Sequence, residues 1–381
     1  MENIELIATT TFGLEAIVKH ELEMLNFEIK AVENGKVSFY SDLAGIARAN
    51  LWLRCADRIL LKVGEFTAIT FDELFDKTKD LDWADYITKD GKFTVLGQSV
   101  KSKLFSISDS QAIVKKAIVE KMKEKYKVDW FKETGPEFTV KVSLVNDIAT
   151  LTIDTTGSDA LHKRGYRKNA IEAPIKETLA AGLIYLSFWN KDRILQDVFC
   201  GSGTIPIEAA MIGRKIAPGL TRDFASKHWP MIDKTIWQDS IRTAYKQINY
   251  NVKMDIRASD INEANLKAAI ENADEAGVLD TIEFEHSDFK YAKYKGDYGI
   301  IISNPPYGTR LAKNENLESL YEEMKKVFRR LKTWSKYIIT DEENLEKHLK
   351  MQADRKRILF NGRIKTIYYQ FYGPKPNEKS T

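Results

Sequence analysis

The chain has few of the residues that build disulfide frameworks and metal clusters. Its 381 residues include 2 cysteines, Cys55 and Cys200, and 5 histidines. Two distant cysteines do not make a disulfide framework, and the histidines lack the spacing of zinc ligands. We therefore expect neither structural disulfides nor a metal site.

Long hydrophobic runs are also missing. No apolar segment approaches the roughly 20 residues that a membrane-spanning helix needs. The N-terminal segment MENIELIATTTFGLEAIVKH lacks the basic and then apolar layout of a signal peptide. These absences predict a protein without a membrane segment that works in the cytoplasm.

The chain has little excess charge of either sign, with a formal net charge of +3. Its positive charge is concentrated locally: 8 lysines between Lys101 and Lys127 face three acids, and no acid interrupts Lys163–Lys168. Such clusters can neutralise phosphates, although a lysine-rich helix is often only a solvated surface. We predict that the phosphates of a nucleic acid contact Lys101, Lys103, Lys115, Lys116, Lys163, Arg164, Arg167 and Lys168.

Hydrophobic patterning predicts several parts. Residues 1–68 alternate strands and helices like a ferredoxin-like α+β unit, with a hairpin at Asn34-Gly35. Residues 69–160 form a second α+β unit, whose long helix we expect Asp109 to cap. Residues 161–171 look like a basic linker. Residues 172–381 form an α/β domain, interrupted at about 214–254 by an insertion that either caps the sheet edge or contacts substrate.

The C-terminal part has the strand–helix alternation of a parallel sheet. Seven strands are predicted, and only the short turn Asn361-Gly362 separates the last two, which must therefore be antiparallel. A mostly parallel sheet with a terminal antiparallel hairpin is typical of a class I methyltransferase fold.

Polar motifs follow the first three strands of this sheet. A strand ending at Asp197 runs into a glycine turn, Gly201-Ser202-Gly203, whose backbone a ligand can approach closely. Asp197 suits a cationic amine such as that of a methionine moiety. Asp260 ends the next strand, where an acid pairs with ribose hydroxyls, and Asp288 and Phe289 follow the third strand, where they suit an adenine amine and ring.

The fourth strand ends in the sequence Asn304-Pro305-Pro306-Tyr307. The prolines fix two φ angles and remove two backbone donors. The Asn304 amide and the Pro305 carbonyl are therefore acceptors for an exocyclic amine, and Tyr307 offers a ring on which a base can stack.

Together these motifs resemble class I S-adenosylmethionine-dependent amino-methyltransferases. The upstream half, with Ser102–Phe105 and Gly165–Arg167, is similar to a THUMP RNA-binding domain behind a ferredoxin-like unit. Nearly the whole chain resembles the THUMP-containing guanine-N2 RNA methyltransferases, in particular the RlmL/YpsC-like bacterial group. The resemblance implies the cofactor S-adenosylmethionine and methylation of a guanine 2-amino group in structured RNA, with 23S rRNA favoured over tRNA.

The motifs and the resemblance together define the predicted site. The predicted catalytic residues are Asn304, Pro305, Pro306 and Tyr307. The predicted cofactor-binding residues are Asp197, Phe199, Cys200, Gly201, Ser202, Gly203, Thr204, Asp260, Ile261, Asp288, Phe289 and Asn304. Two alternatives stay open: an adenine-N6 methyltransferase, because the acceptor motif serves adenine amines equally well, and an RNA-binding factor without catalysis. The oligomeric state is not predicted.

Overall fold

The computed structural model of the protein describes residues 3–168, 174–306 and 314–376. The chain divides into two compact units. The first contains strand β1 (Ile4–Thr10) with Lys19–Leu161 and Arg222–Thr243, and the second contains the remaining described residues.

The N-terminal half of the chain supplies seven strands to a single sheet. After β1 the strands are β2 (Glu28–Glu33), β3 (Lys36–Ser41), β4 (Ala56–Thr67), β5 (Lys92–Val100), β6 (Glu137–Val145) and β7 (Ile148–Asp154). The helices are α1 (Glu15–Met24), α2 (Leu43–Trp52), α3 (Phe71–Lys79) and α4 (Ile107–Tyr126), with a 3-10 turn at Trp83–Asp85. The strand order is β2-β3-β1-β4-β7-β6-β5.

The long strand β4 joins the two predicted α+β units into one sheet. Its 12 residues pair antiparallel with β1 along one edge and with β7 along the other. The short apolar run Ile59–Val63 by itself predicts only a short strand. The extension exists because the part of β4 beyond Lys62 finds its partner in β7, far along the chain.

Helix α4 starts earlier than predicted. Ser106, and not Asp109, is its N-cap: the Ser106 hydroxyl accepts from the Asp109 backbone N–H at 3.4 Å. The same hydroxyl donates to the Asp109 carboxylate at 2.6 Å. Asp109 therefore supports the cap from the first turn, where a negative charge also favours the helix dipole.

The C-terminal half forms a second seven-stranded sheet of order β10-β9-β8-β11-β12-β14-β13. Its strands are β8 (Leu195–Asp197), β9 (Ile256–Asp260), β10 (Ile282–His286), β11 (Ile300–Ser303), β12 (Ser335–Thr340), β13 (Arg355–Asn361) and β14 (Ile364–Phe371). The helices in this half of the chain are α5 (Glu177–Tyr185), α6 (Thr204–Gly213), α7 (Lys234–Gln247), α8 (Glu263–Glu275), α9 (Asn314–Arg330) and α10 (Leu345–Leu349), with 3-10 turns at Ala225–His228 and Leu279–Thr281.

This sheet confirms the predicted class I methyltransferase fold. Strands β8 to β12 are parallel to one another, whereas β14 pairs antiparallel with both β12 and β13. The order reverses between β8 and β11, and ligands of such sheets bind outside the carboxyl ends of the strands at that switch point.

The strands at the switch point are buried on both faces. Ile300, Ile301 and Ile302 of β11 are each 0% exposed, as expected for a central parallel strand. Ile301 packs in a core with Phe289, Trp334 and Tyr369. Full burial of each isoleucine contributes roughly 1.5–3 kcal/mol to the stability of the fold. The residues that follow β11 are therefore attached to a firmly packed strand.

The central part of the insertion, Arg222–Thr243, packs in the first unit. There Trp229 stacks on Phe138 of β6 with ring centroids 5.1 Å apart, and its indole N–H donates to the Glu137 carbonyl at 3.1 Å. Trp237, 1% exposed, stacks on Phe224. The aromatic residues of the insertion therefore complete a hydrophobic core.

Candidate functional site: a cavity at the strand ends

A cavity of about 750 Å³ lies at the carboxyl ends of β8, β9, β10 and β11. Most of the predicted site residues line it, namely Asp197, Phe199, Cys200, Gly201, Ser202, Thr204, Asp260, Ile261, Asp288, Phe289, Asn304 and Pro306. Gly203 and Pro305 are described but are not among the lining residues. Tyr307 lies outside the described residues. The structure thus brings together four motifs that are widely separated in the chain.

The glycine turn between β8 and α6 is held by the end of the neighbouring strand. The Gly201 N–H donates to Asp260 Oδ2 at 2.9 Å. Gly203 has a φ of 79°, and a Cβ built there would lie 3.0 Å from the Cβ of Ala269 on α8. Gly203 therefore allows the turn to form and α8 to approach it, whereas Gly201 and Ser202 face the cavity.

Asp197 is a buried carboxylic acid at the end of β8. It is 1% exposed, and its Oδ1 accepts hydrogen bonds from the Ser303 hydroxyl at 2.7 Å and from the Phe199 N–H at 3.2 Å. Burial raises its pKa from 3.8 to about 7, although both hydrogen bonds oppose the rise. A cation bound beside Asp197 would favour its charged form, because an opposite charge lowers the pKa of an acid.

Asp260 organises a second part of the cavity wall. Its Oδ2 accepts from Gly201, and its Oδ1 accepts from the Asn262 N–H at 2.8 Å and from the Asn265 side-chain amide at 3.4 Å. A carboxylate has about four lone-pair sites, two on each oxygen, so Oδ2 keeps capacity for another donor. Asp260 can therefore hold the glycine turn and also accept from ribose hydroxyls.

Asp288 and two phenylalanines form the third part of the cavity. Asp288 accepts from the Lys290 N–H at 3.0 Å and pairs with the Lys290 ammonium at 3.1 Å. The rings of Phe199 and Phe289 lie 5.0 Å apart at 40°. Two tilted rings beside a carboxylate can hold a flat aromatic group that carries an amine.

Asn304 supplies a buried acceptor to the wall of the cavity. It follows β11 directly and lines the cavity, and its Oδ1 is buried with no hydrogen-bond partner among the residues that the structure describes. An unpaired buried acceptor costs about 1–3 kcal/mol. Such a cost at the wall of a cavity is expected where a ligand donates a hydrogen bond.

The basic segment 162–168 corrects one prediction directly. Arg164 is 1% exposed, and its Nε donates to Glu208 at 3.3 Å, beside the Tyr166 hydroxyl, which donates to the same carboxylate at 3.1 Å. A buried guanidinium cannot contact the phosphates of RNA. Arg164 anchors the segment to α6, and the segment is therefore packed and not a loose linker.

Arg167 also points to a different role from the predicted one. Its Nη2 donates to the Ile175 carbonyl at 2.8 Å and to the Thr204 hydroxyl at 2.9 Å, and it lies 3.4 Å from Glu177. Ile175 and Thr204 both line the cavity. These contacts make Arg167 a support of the cofactor pocket. Lys163 and Lys168 are exposed, and Lys168 pairs with Glu275 at 2.6 Å.

The other predicted RNA-binding lysines lie on the surface of the first unit. Lys101, Lys103, Lys115 and Lys116 are all exposed. On α4, the ammonium of Lys115 lies over the ring of Phe93, and that of Lys116 lies over Phe75. Their exposure is compatible with phosphate contacts, which stay a prediction.

Several lining residues were missed by the sequence reasoning. They are Pro174, Ile175, Val198, Ile205, Asn262, Asn265, Lys290, Ser319, Leu320 and Glu323. Asn262 and Lys290 lie within two residues of predicted acids and could have been included. Ser319, Leu320 and Glu323 lie on α9, and nothing in their local sequence distinguishes them from other helix residues.

None of the helices in the described ranges is both long and apolar enough to cross a membrane. Within the same ranges there is no group of three or more potential metal ligands.

The strand order, glycine turn and strand-end acids define a class I methyltransferase. Models of three known domains match the chain: the RMKL-like methyltransferase domain at residues 164–370, the RlmL ferredoxin-like domain at residues 5–60 and the THUMP domain at residues 68–154. The chain belongs to the RMKL-like methyltransferase family. The resemblance to the RlmL/YpsC-like group is thereby confirmed.

Individual relatives agree with this assignment. The chain is 49% identical to "Putative RNA methyltransferase YpsC" of Bacillus subtilis (strain 168). The alignment covers 100% of this chain and 99% of that protein. It is 31% identical over 96% of its length to the ribosomal RNA large subunit methyltransferase K/L of Shewanella baltica (strain OS195), of which it spans 52%. The chain therefore spans about half the length of the K/L proteins.

Two solved structures are close over nearly the full chain. SMU.472, complexed with SAH, has a TM-score of 0.93 and 43% identity, covering 99% of this chain and all of that one. A Listeria monocytogenes str. 4b F2365 protein, described as a predicted N6-adenine-specific DNA methylase, has a TM-score of 0.93 and 48% identity, covering 98% and 97%. SAH is the demethylated form of S-adenosylmethionine.

The predicted cofactor, S-adenosylmethionine, is confirmed. The residues of the cavity fit it, because a glycine turn, three strand-end acids and two aromatic rings are the groups that its amine, ribose and adenine need. Asp197, Asp260 and Asp288 are the acids that would hold these three parts.

Proposed function

We propose that this methyltransferase acts on RNA and methylates the exocyclic 2-amino group of guanine. The observation that carries the proposal is the buried Asn304 Oδ1 without a hydrogen-bond partner among the described residues. It lies at the end of β11, in the wall of the cavity that fits the cofactor. An acceptor in that place suits an amine N–H close to the methyl donor.

The chemistry needs little covalent help from the protein. The bound cofactor supplies a sulfonium methyl group for an in-line displacement. An exocyclic amine is a weak nucleophile because its lone pair is delocalised into the base. Asn304 Oδ1 and the Pro305 carbonyl would each accept a hydrogen bond from one N–H of the amine. These bonds would move the nitrogen toward sp³ geometry and stabilise the positive charge that develops there. The nitrogen then loses a proton to water.

Positioning is the second contribution of the chain. Holding the amine in line with the methyl donor removes most of the entropic cost of bringing the two together. The base must first leave its stack to enter a cavity of this kind. We assign base holding to Tyr307, which lies outside the described residues, so this role stays a prediction.

RNA as the substrate is supported by the match to a THUMP domain and by the exposed lysines of the first unit. The names of the K/L relatives favour the large-subunit ribosomal RNA as target, with tRNA as the second possibility. A cytoplasmic location belongs to the same proposal.

Adenine-N6 methylation is the second candidate. The name given to the Listeria protein favours it, and the acceptors at Asn304 and Pro305 would serve an adenine amine equally well. The RNA-binding character of the N-terminal half argues for RNA over DNA, but the base is decided by experiment.

The test is mass-spectrometric nucleoside analysis of total RNA and DNA from cells with and without the gene. We expect N2-methylguanosine to decrease in one RNA species and to return when purified protein and S-adenosylmethionine are added. Fragment mapping then identifies the nucleotide. A loss of N6-methyladenine in place of N2-methylguanosine would establish the second candidate and refute the first.

A further inference from the structure

Phe105 is a large aromatic side chain that the fold leaves outside. It is 82% exposed, although each of its two neighbours in the chain has a structural role. Leu104 is 5% exposed, and Ser106 caps α4. The chain on either side of Phe105 is therefore fixed, and its ring projects from a rigid base.

The loop that carries Phe105 is bonded to the turn between β6 and β7. The Ser102 hydroxyl accepts from the Asp147 N–H at 3.0 Å, and Asp147 Oδ1 accepts from the Lys103 N–H at 2.6 Å. The Ser99 hydroxyl donates to the Leu104 carbonyl at 2.8 Å. Lys101, with a φ of 51°, makes the sharp bend that these bonds require.

Three more exposed apolar side chains lie at the strand ends beside this loop. Val100 pairs with Val145, and Val145 pairs with Ile148, so the three lie side by side at one end of β5, β6 and β7. They are 51%, 39% and 44% exposed, respectively. A contiguous exposed apolar patch of this kind marks an interaction site.

The charge beside this patch identifies its partner. Lys101 and Lys103 are exposed next to Phe105, and neither forms an ion pair with any described residue. The two nearby acids are occupied: Asp147 accepts from the loop backbone, and Asp109 accepts from Ser106. An aromatic ring with unpaired ammonium groups matches a flat base joined to phosphates, whereas an apolar protein partner would leave those charges unpaired.

We propose that Phe105 is a stacking platform for an unpaired RNA base, with Lys101 and Lys103 holding the adjoining phosphates. The inference rests on RNA as the substrate and adds a binding point far along the chain from Asn304. Because stacking needs an unstacked base, the platform reads single-stranded RNA and accepts any base. It is a binding determinant and takes no part in methyl transfer.

The test measures binding of the full chain to a fluorescein-labelled ten-nucleotide adenylate RNA and to a ten-base-pair duplex RNA by fluorescence anisotropy. Phe105→Ala should weaken single-strand binding about tenfold and change duplex binding little. Phe105→Trp should restore single-strand affinity. Lys101→Gln and Lys103→Gln should each reduce the salt dependence of binding, whereas Phe105→Ala should leave it unchanged.

Tyr250→Ala is the matched control, because Tyr250 is 64% exposed and lies in the second unit. It should bind both RNAs like the wild type. The inference would be overturned if Phe105→Ala and the wild type bound the single strand with equal affinity. It would also be overturned if Phe105→Ala changed the oligomeric state, measured by light scattering, without changing RNA affinity. Either result would leave the proposed function standing if the wild type still methylates RNA, and absence of methyl transfer by the wild type would refute the function separately.

Discussion

The Ser303 hydroxyl joins the two halves of the candidate active site. It donates to Asp197 Oδ1 at 2.7 Å and accepts from the Val198 N–H at 3.0 Å. Ser303 is 0% exposed and immediately precedes Asn304. The acid that would hold the methyl donor and the amide that would hold the amine are thus connected through one buried side chain.

We expect cofactor binding to depend on pH through Asp197. Burial raises the pKa of this carboxyl to about 7, so about one tenth of the free protein carries the charged form at pH 6. If the charged form binds the ligand ammonium, SAH should bind about tenfold more tightly at pH 8 than at pH 6. Calorimetric titration at both pH values measures this, and Asp197→Asn should remove the difference.

The same shift affects stability with a definite sign. The folded pKa lies above the ordinary value of 3.8, so between pH 4 and 7 the native state binds more protons than the unfolded state. Stability of the ligand-free protein should therefore fall as the pH rises through this window, and fall less in Asp197→Asn. Urea unfolding at pH 5 and pH 7 measures the unfolding free energy of the wild type and of Asp197→Asn. An equal loss of stability in the two proteins would count against the assignment.

Ser303→Ala should move the midpoint of this pH dependence upward. Removing a donor to the charged carboxylate disfavours that form and should raise the pKa of Asp197 by about one unit. The midpoint of SAH binding against pH should shift accordingly, with binding at pH 8.5 close to that of the wild type. A variant that binds less tightly at every pH without a shift would show that Ser303 only shapes the pocket.

Arg167→Met should weaken SAH binding about tenfold, because a partly buried charge-assisted hydrogen-bond network at the cavity wall is lost. Lys163→Met is the control, since Lys163 is an exposed cation of the same segment. RNA affinity measured at saturating SAH should be the same for wild type and Arg167→Met. If Arg167→Met lost RNA affinity and bound SAH normally, Arg167 would have the predicted role of contacting RNA phosphates.

Gly203→Ala should destabilise the protein more than Gly277→Ala. Both glycines have positive φ, 79° and 68°, and share a backbone cost of about 1–2 kcal/mol. Only at Gly203 would the new Cβ meet a neighbour at 3.0 Å, on α8. Thermal unfolding of both variants measures the steric part as the difference, and equal melting temperatures would show that α8 moves aside freely.

The sequence was sufficient to predict the second sheet and the strand-end motifs, because each motif is local. A glycine turn, an acid after a buried strand and a proline pair all have their physical reason in their immediate neighbours along the chain. The parallel order of their strands then brings them to one edge.

Contacts between residues that are far apart in the chain could not be predicted from the sequence. Arg164 was assigned to RNA because nothing near it in the chain shows that its partner, Glu208, lies 44 residues away in the core. The bond between Ser303 and Asp197 joins residues 106 positions apart, and the continuation of β4 depends on β7. Charge patterns predict a surface only where no distant partner buries them.

The most direct measurement of the central claim is single-turnover methyl transfer by Asn304→Ala. The substrate is total RNA from cells that lack the gene, and the cofactor carries a labelled methyl group. We predict a rate at least ~10²-fold below that of the wild type, with SAH affinity within about twofold. A variant that transfers methyl groups at the wild-type rate would contradict the assignment of Asn304 as the acceptor for the reacting amine.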